Sequence, residues 1–109
     1  MSGLSRFFEI SQLEQQWGQR GKPYMEFLRV SAMSAGLYVL PAGGTDPQRQ
    51  HNEDEMYYVV RGQARRRLGS EDQAVSDGRV IFVKAGVEHR FHDVTQELVV
   101  LVCFAPAES

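Results

Sequence analysis

The segment that decides the fold reads Asn52-Glu53-Asp54-Glu55-Met56-Tyr57-Tyr58-Val59-Val60-Arg61-Gly62. Its part from residue 56 to residue 60 is rich in β-branched and aromatic residues, which favour a β-strand. Gly62 then predicts a tight turn, and residues 63–68 predict the returning strand. The first of these strands follows a polar loop, residues 45–52, which carries a histidine close to the start of the strand.

Further short segments on both sides of this pair also predict strands, with glycine-containing turns between them: residues 24–30, 37–40, 80–83, 88–92 and 98–104. Before them, Ser11 and Glu14 have the spacing of a capping box and predict one short helix near residues 11–18. Many short strands separated by glycine turns are typical of an all-β barrel or sandwich.

The composition places limits on function. A chain of 109 residues is a single domain, and its net charge of −2 comes from interspersed acidic and basic residues. We therefore expect no nucleic-acid partner and no membrane surface as a partner. The single cysteine, Cys103, excludes an internal disulfide. Because no signal peptide and no membrane-length apolar run is evident, we expect a cytoplasmic protein.

Side-chain alternation along the strands groups the titratable residues. Residues two apart on a strand face the same side, so Glu55 shares the face of Val59. By the same rule His89 shares the face of Phe91, whereas His92 lies on the opposite face. If Val59 and Phe91 point into a barrel, so do Glu55 and His89.

A metal site follows from this grouping. Two neighbouring antiparallel strands could bring His51, Glu55 and His89 to one point, and two imidazoles with one carboxylate leave open positions on a bound ion. This donor set suits Fe(II), Mn(II), Zn(II), Ni(II) or Cu(II), and the residue types alone do not choose among them. Glu53 has the same parity and is a further candidate ligand, although a solvated carboxylate is the simpler interpretation.

The spacing of these residues resembles the paired motifs of the cupin family. The two motifs read Gly43-x5-Arg49-x-His51-x3-Glu55-x6-Gly62 and Gly78-x5-Lys84-x-Gly86-x2-His89-x3-Asp93. Residues 36–105 are similar to a small single-domain bacterial cupin. The resemblance implies an antiparallel β-barrel or jelly roll with a divalent metal in its mouth, and it implies frequent homodimers. Residues 1–35 would then supply an extra strand and the short helix, packed on the barrel.

Three positions depart from the family pattern: Arg49 where a ligating histidine is expected, Lys84 where proline is expected, and Asp93 where asparagine is usual. A guanidinium has no lone pair and cannot bind a metal. The site could therefore use three protein ligands, or an amide oxygen of Gln48 or Gln50 could complete it. Alternatively, Arg49 could pair with Glu53 or Glu55 and replace the metal. Beside a metal, Arg49 would hold an anionic substrate.

Two further residues have alternative interpretations. Tyr57 lies two residues after Glu55 on the same face, where it could donate a proton to a substrate or simply fill the barrel. Alternation separates Arg66 from Arg65 and Arg67. Residues 65–67 could form a charged edge strand that prevents edge-to-edge pairing with another chain. Alternatively, Arg66 could reach into the barrel or across a dimer interface to bind a carboxylate.

The resemblance does not imply one reaction, because the family includes enzymes and non-enzymes. We expect a metal-dependent protein that acts on a small anionic organic molecule by dioxygenase-, decarboxylase- or isomerase-like chemistry. Arg49 and Tyr57 are the candidate catalytic residues. The alternative is a non-catalytic module that binds or senses a small ligand.

Overall fold

The chain forms one short helix and six strands in the parts that the computed structural model describes, residues 5–18, 23–47 and 51–109. The elements are α1 (Ile10–Gly18), β1 (Tyr24–Val30), β2 (Met33–Leu40), β3 (Asp54–Leu68), β4 (Glu71–Ser76), β5 (Val80–Val83) and β6 (His89–Ala105). The expected all-β fold with a short helix before the barrel is confirmed. Within the described ranges, no helix has both the length and the apolar character needed to cross a membrane.

The strands pair antiparallel in the order β1-β2-β6-β3-β4, and β5 pairs with the first part of β3. The two long strands, β3 and β6, pair from Asp54 opposite Ala105 to Leu68 opposite His89. Register shifts near the middle of β3 interrupt this ladder, and such irregularities let a strand bend. The paired strands β3 and β6 therefore run through the whole barrel. Side chains from both ends of this pair point into the same interior.

Gly62 lies within β3, so the prediction of a tight turn there is wrong. Its φ is 118°, and a Cβ atom would lie 2.3 Å from the carbonyl oxygen of Glu97 on β6. Glycine is required at this point because the backbones approach closely while the strand bends. The strand continues after the bend, and residues 88–92 and 98–104, expected as two strands, belong to the single strand β6.

Strand β4 was not expected from the sequence. Of its six residues only Val75 is buried. The segment therefore lacks the alternation of buried and exposed residues that indicates a half-buried strand. It pairs with residues 63–68 of β3, which places that part of β3 between two neighbours.

The barrel interior is a single hydrophobic cluster, and a second cluster lies on the outer side of β2. The interior contains alternate residues of β3 and β6, among them Tyr57, Val59 and Phe91. Outside, Leu13 of α1 packs with residues of β1, β2 and β6: Met25, Leu37, Val39 and Val99. The helix therefore covers one outer face of the sheet, and the interior is filled by side chains of the strands.

Candidate metal centre

Three sequence-predicted residues, His51, Glu55 and His89, meet inside the barrel. One ligand atom from each lies within 4.8 Å of the others. His51 lies three residues before the start of β3, Glu55 is the second residue of β3, and His89 begins β6. The structure thus brings these side chains together as their parity predicted.

A backbone contact between the two motif loops fixes the position of His51. The Gly86 N–H donates a hydrogen bond of 2.8 Å to the His51 carbonyl oxygen. Nearby, the Ala85 N–H donates to a carboxylate oxygen of Asp54 at 2.8 Å. Gly86 has a φ of 82°, in the region that glycine adopts readily. The glycine of the second motif therefore holds the histidine of the first.

The side-chain atoms of the cluster face one another. Nε2 of His89 is 3.2 Å from Oε2 of Glu55, and Nε2 of His51 is 4.0 Å from Oε1 of Glu55. The centroids of the two imidazole rings are 5.7 Å apart. Each oxygen of one carboxylate is therefore directed at a different ring nitrogen.

The remaining ring nitrogens have other partners. Nδ1 of His89 lies 2.8 Å from the carbonyl oxygen of Val87. Since a carbonyl only accepts, this nitrogen carries the proton in that bond, and Nε2 of the neutral ring keeps its lone pair. Nδ1 of His51 is 3.2 Å from a carboxylate oxygen of Glu108. A carbonyl or carboxylate behind the ring is the usual support of a metal-binding histidine.

Both Nε2 atoms are buried, and neither has a hydrogen-bond partner among the described residues. Two nitrogen lone pairs and a carboxylate thus converge on one point. Such a set is repulsive by itself and is stabilised by a cation placed between its members. The residues present therefore fit a divalent metal ion.

Burial determines the protonation states at the centre. It raises the pKa of Glu55 above its ordinary value, while the hydrogen bond from Tyr57 and the neighbouring His51 and Arg66 oppose this rise. It lowers the pKa of His89, against the effect of the bond to Val87. His89 is therefore neutral at neutral pH, which is the form that binds a metal.

Tyr57 is fully buried and contacts the candidate ligand Glu55. Its hydroxyl donates to Oε1 of Glu55 at 2.6 Å, and burial raises the pKa of Tyr57 well above its ordinary value. Its ring lies edge-on to those of His89 and Phe91. Tyr57 thus fills the barrel and orients the carboxylate; its expected proton donation to a substrate stays a prediction.

Glu53 does not join the cluster, and its interpretation as a solvated carboxylate is wrong. It is 5% exposed, and it accepts a hydrogen bond of 3.1 Å from the Ser109 N–H. The last residues of the chain cover it, which no local pattern indicates. The other expected participants near the first motif, Arg49, Gln48 and Gln50, lie outside the described residues.

His92 faces away from the cluster, as its parity predicted. Its Nε2 is 2.8 Å from a carboxylate oxygen of Asp72, and its Nδ1 is 3.4 Å from Asp93. Asp93, the departure from the usual asparagine, has a φ of 49°. Aspartate and asparagine are both enriched in this left-handed region, so this departure keeps the same backbone.

Glu108 is the participant that sequence reasoning missed. It belongs to the segment after β6, and its carboxylate supports the ring of His51. Burial raises its pKa, and the nearby His51 opposes the rise. No motif spacing marks it, because the contact arises from the path of the chain after the last strand.

Arg66 points into the barrel and is 3% exposed. The interpretation of residues 65–67 as a charged edge strand is wrong, because β4 pairs with this part of β3. The alternative, in which Arg66 reaches the interior, is confirmed. Its neighbours Arg65 and Arg67 lie on the other face near Asp72, with N–O distances of 3.1 and 3.7 Å.

Known proteins resemble this chain in sequence and in fold. A family model described as "Cupin domain" matches residues 36–105. An uncharacterised protein of Streptomyces coelicolor is 45% identical over 102 residues, which cover 94% of this chain and 97% of that protein.

Among solved structures, a protein of Thermus thermophilus has a TM-score of 0.73 at 22% identity and covers 94% of this chain and 99% of its own. A conserved protein of Klebsiella pneumoniae with a double-stranded β-helix domain has a TM-score of 0.76 at 16% identity, with coverages of 94% and 91%. At these identities the structural likenesses establish the fold alone.

Proposed function

Since the chain belongs to the cupin family, we propose that it is a divalent-metal-binding protein that acts on a small anionic organic molecule. The observation that supports this most strongly is the pair of buried imidazole Nε2 atoms, which have no hydrogen-bond partner in residues 5–18, 23–47 and 51–109 and are both directed at the carboxylate of Glu55. A purely structural cluster would place a donor between these acceptors.

His51, Glu55 and His89 would hold the ion. Imidazole and carboxylate donors suit Fe(II), Mn(II), Zn(II), Ni(II) or Cu(II), and three protein ligands leave positions for water and substrate. When bound, such an ion supplies Lewis-acid polarisation or, if it is iron, the activation of oxygen. The chain's own contribution is to hold the ligands in a dry interior, in which burial keeps His89 neutral.

The exposure of the three side chains indicates how a molecule would approach. The side chains of His89 and Glu55 are 0% and 1% exposed, whereas that of His51 is 18% exposed. The ring of Phe104 lies 5.1 Å from that of His51. A substrate would therefore reach the open positions from the side of His51, past an aromatic residue that excludes water.

Arg49 is proposed as a clamp for the anionic group at that entrance. The proposal rests on the position of Arg49 in the first motif, two residues before His51. A guanidinium there would bind a carboxylate without ligating the ion.

We also propose that the protein is a homodimer. Four residues of β3 and β5 form an outward apolar patch in which each pair lies on adjacent strands: Met56 with Phe82, and Tyr58 with Val80. They are between 45% and 58% exposed. Contiguous exposed apolar residues are typical of interaction surfaces. Sedimentation at tens of micromolar should give twice the mass of the chain, and a monomer would contradict the proposal.

Loading of the metal-free protein tests the proposed function. We expect at least one of the five ions to raise the unfolding temperature of the wild-type chain and of His92→Ala, whose histidine lies outside the cluster, but not of His51→Ala. Small carboxylic acids would then be assayed for turnover with and without the ion. Metal-dependent turnover supports an enzyme, and binding without turnover supports the alternative of a ligand-binding module. The absence of any stabilising ion would contradict metal binding.

A further inference from the structure

A second group of buried polar atoms lies toward the other end of β3, at Arg66. None of its three guanidinium nitrogens has a hydrogen-bond partner among the described residues. The residue is 3% exposed. A buried guanidinium is normally paired with a carboxylate or fully hydrogen-bonded, because removing its charge from water is costly.

Two aromatic rings hold the guanidinium in place. Its central carbon lies 4.2 Å from the ring centroid of Tyr57 and 4.2 Å from that of Phe91. These rings are nearly perpendicular to each other, with an interplanar angle of 82°. Cation–π contacts of this kind attract the charge, but a ring face does not replace the hydrogen bonds that the N–H groups lost with water. The two rings therefore orient Arg66, and its N–H groups remain available to a hydrogen-bond acceptor.

A cavity of about 190 Å³ adjoins Arg66 between β4 and β5. Its lining includes apolar residues of the interior, Leu68, Val75 and Ile81, with Gln73 beside them. Glu71 and Arg79 lie at its rim and are exposed. Pockets for drug-sized ligands are roughly 300–1,000 Å³, so this cavity has room for a molecule of only a few heavy atoms.

The charge of Arg66 also acts on the candidate metal centre. It lowers the pKa of Glu55 and that of His89. Tyr57 joins the two places, since its hydroxyl bonds to Glu55 and its ring lies against Arg66. The barrel interior therefore holds a buried cation whose charge reaches the proposed metal site.

We propose that Arg66 is the anchor of an anion subsite that binds the carboxylate of a small organic acid. This proposal rests on the proposed function, because the Arg66 guanidinium would bind the same small anionic molecule inside the barrel. A planar carboxylate matches the parallel N–H groups of a guanidinium and forms two charge-assisted hydrogen bonds with it. The proposed subsite is separate from the proposed anion clamp at Arg49, whose position in the structure lies outside the described residues.

The direct test is the NMR signal of the Arg66 Nε–H group, followed in metal-free protein during titration with propionate and malonate. Propionamide, which has nearly the same shape without the charge, is the control ligand. We expect both acids to shift this signal and the amide to leave it unchanged. Because no metal is present, a failure of metal binding does not affect the result.

Variants then assign the binding to Arg66. Arg66→Met should weaken propionate binding about tenfold or more, as expected for loss of charge-assisted hydrogen bonds. Arg67→Met removes the same charge one residue away on the outer face, and it should bind as the wild type does. Arg66→Lys keeps a charge without the planar fork and should give intermediate affinity. If Arg66→Met does not fold, the wild-type signal and Arg66→Lys decide the question.

Three results would overturn the inference: an Arg66 signal that does not respond to either acid, an equal response to propionamide, or wild-type affinity in folded Arg66→Met. Loss of propionate binding in Arg49→Met together with full binding in Arg66→Met would assign the anion to the entrance instead. If the acids bind at Arg66 but no ion binds at the histidine cluster, the anion subsite stands and the proposed metal function falls.

Discussion

The two ends of the buried face of β3 differ in the kind of group that they leave unsatisfied. Around Glu55, hydrogen-bond acceptors converge: two imidazole Nε2 atoms and one carboxylate. Around Arg66, the guanidinium donors have no acceptor in the part of the chain that the structure describes. Acceptors without donors attract a cation, and donors without acceptors attract an anion. The same alternation along one strand thus produces two complementary sites, with Tyr57 in contact with both.

Both places cost stability in the ligand-free chain. A buried group without its partner costs about 1–3 kcal/mol, and the surrounding apolar core, including Val59, Val100 and Phe91, must offset this. Sites prepared for a ligand commonly show such a trade-off between stability and function. Variants whose effects on stability and on ligand binding can be measured separately therefore distinguish the Glu55 end of β3 from the Arg66 end.

The largest effect is expected for His89→Ala. Loss of a residue that supports a ligand typically weakens metal binding about 10–100-fold, so loss of a ligand itself should weaken it further and abolish retention. The barrel should stay folded, because the change removes a buried nitrogen, Nε2, that makes no hydrogen bond to the residues the structure describes. Metal content and circular dichroism measure the two effects. Wild-type metal content in the variant would rule out His89 as a ligand.

Tyr57→Phe should have an intermediate effect on the metal end. It keeps the ring against Arg66 but removes the hydrogen bond that lowers the pKa of Glu55. Metal affinity should fall about 10–100-fold, as for other groups that orient a ligand. Titration calorimetry would measure this. Tyr58→Phe, on the exposed face of the same strand, is the matched control, and an equal effect in both variants would contradict the role of Tyr57.

Glu55→Gln should have the smallest effect of the three variants, and this effect should be an increase in the stability of the metal-free protein. Because burial raises the pKa of Glu55 in the fold, its stabilising contribution is present below the ordinary pKa and is lost as the pH rises through the raised value. At neutral pH the neutral glutamine should therefore stabilise the metal-free chain by about 1 kcal/mol. Chemical denaturation should show this difference shrinking as the pH is lowered. A less stable variant at neutral pH would contradict the assignment of Glu55 as a strained carboxylate.

The sequence was sufficient for the parts of the site that depend on strand alternation. Glu55 and His89 could be assigned to the interior because Val59 and Phe91 share their faces, and His51 joined them because it has the same parity as Glu55. It was not sufficient where long-range packing decides the outcome. Glu53 and Glu108 are placed by the chain after β6, and residues 65–67 are not at a sheet edge because β4, a strand with only one buried residue, pairs with that part of β3.

For the fold, too, local sequence patterns were sufficient for some features and long-range contacts decided others. Glycines gave good evidence of turns, except at Gly62, where the glycine permits a close approach to Glu97 within a bending strand. A local pattern does not distinguish a turn from such a bend, because both favour the same residue. The length of β3 and β6 was therefore underestimated, although their faces were assigned correctly.

The central claim is that a metal ion belongs between His51, Glu55 and His89. Anomalous X-ray scattering from crystals of protein purified without added metal or chelator tests it most directly. The account predicts one peak per chain, about 2.0–2.2 Å from Nε2 of each histidine and from a Glu55 oxygen. A map without a peak at this point, or with a metal bound only elsewhere on the chain, would contradict it.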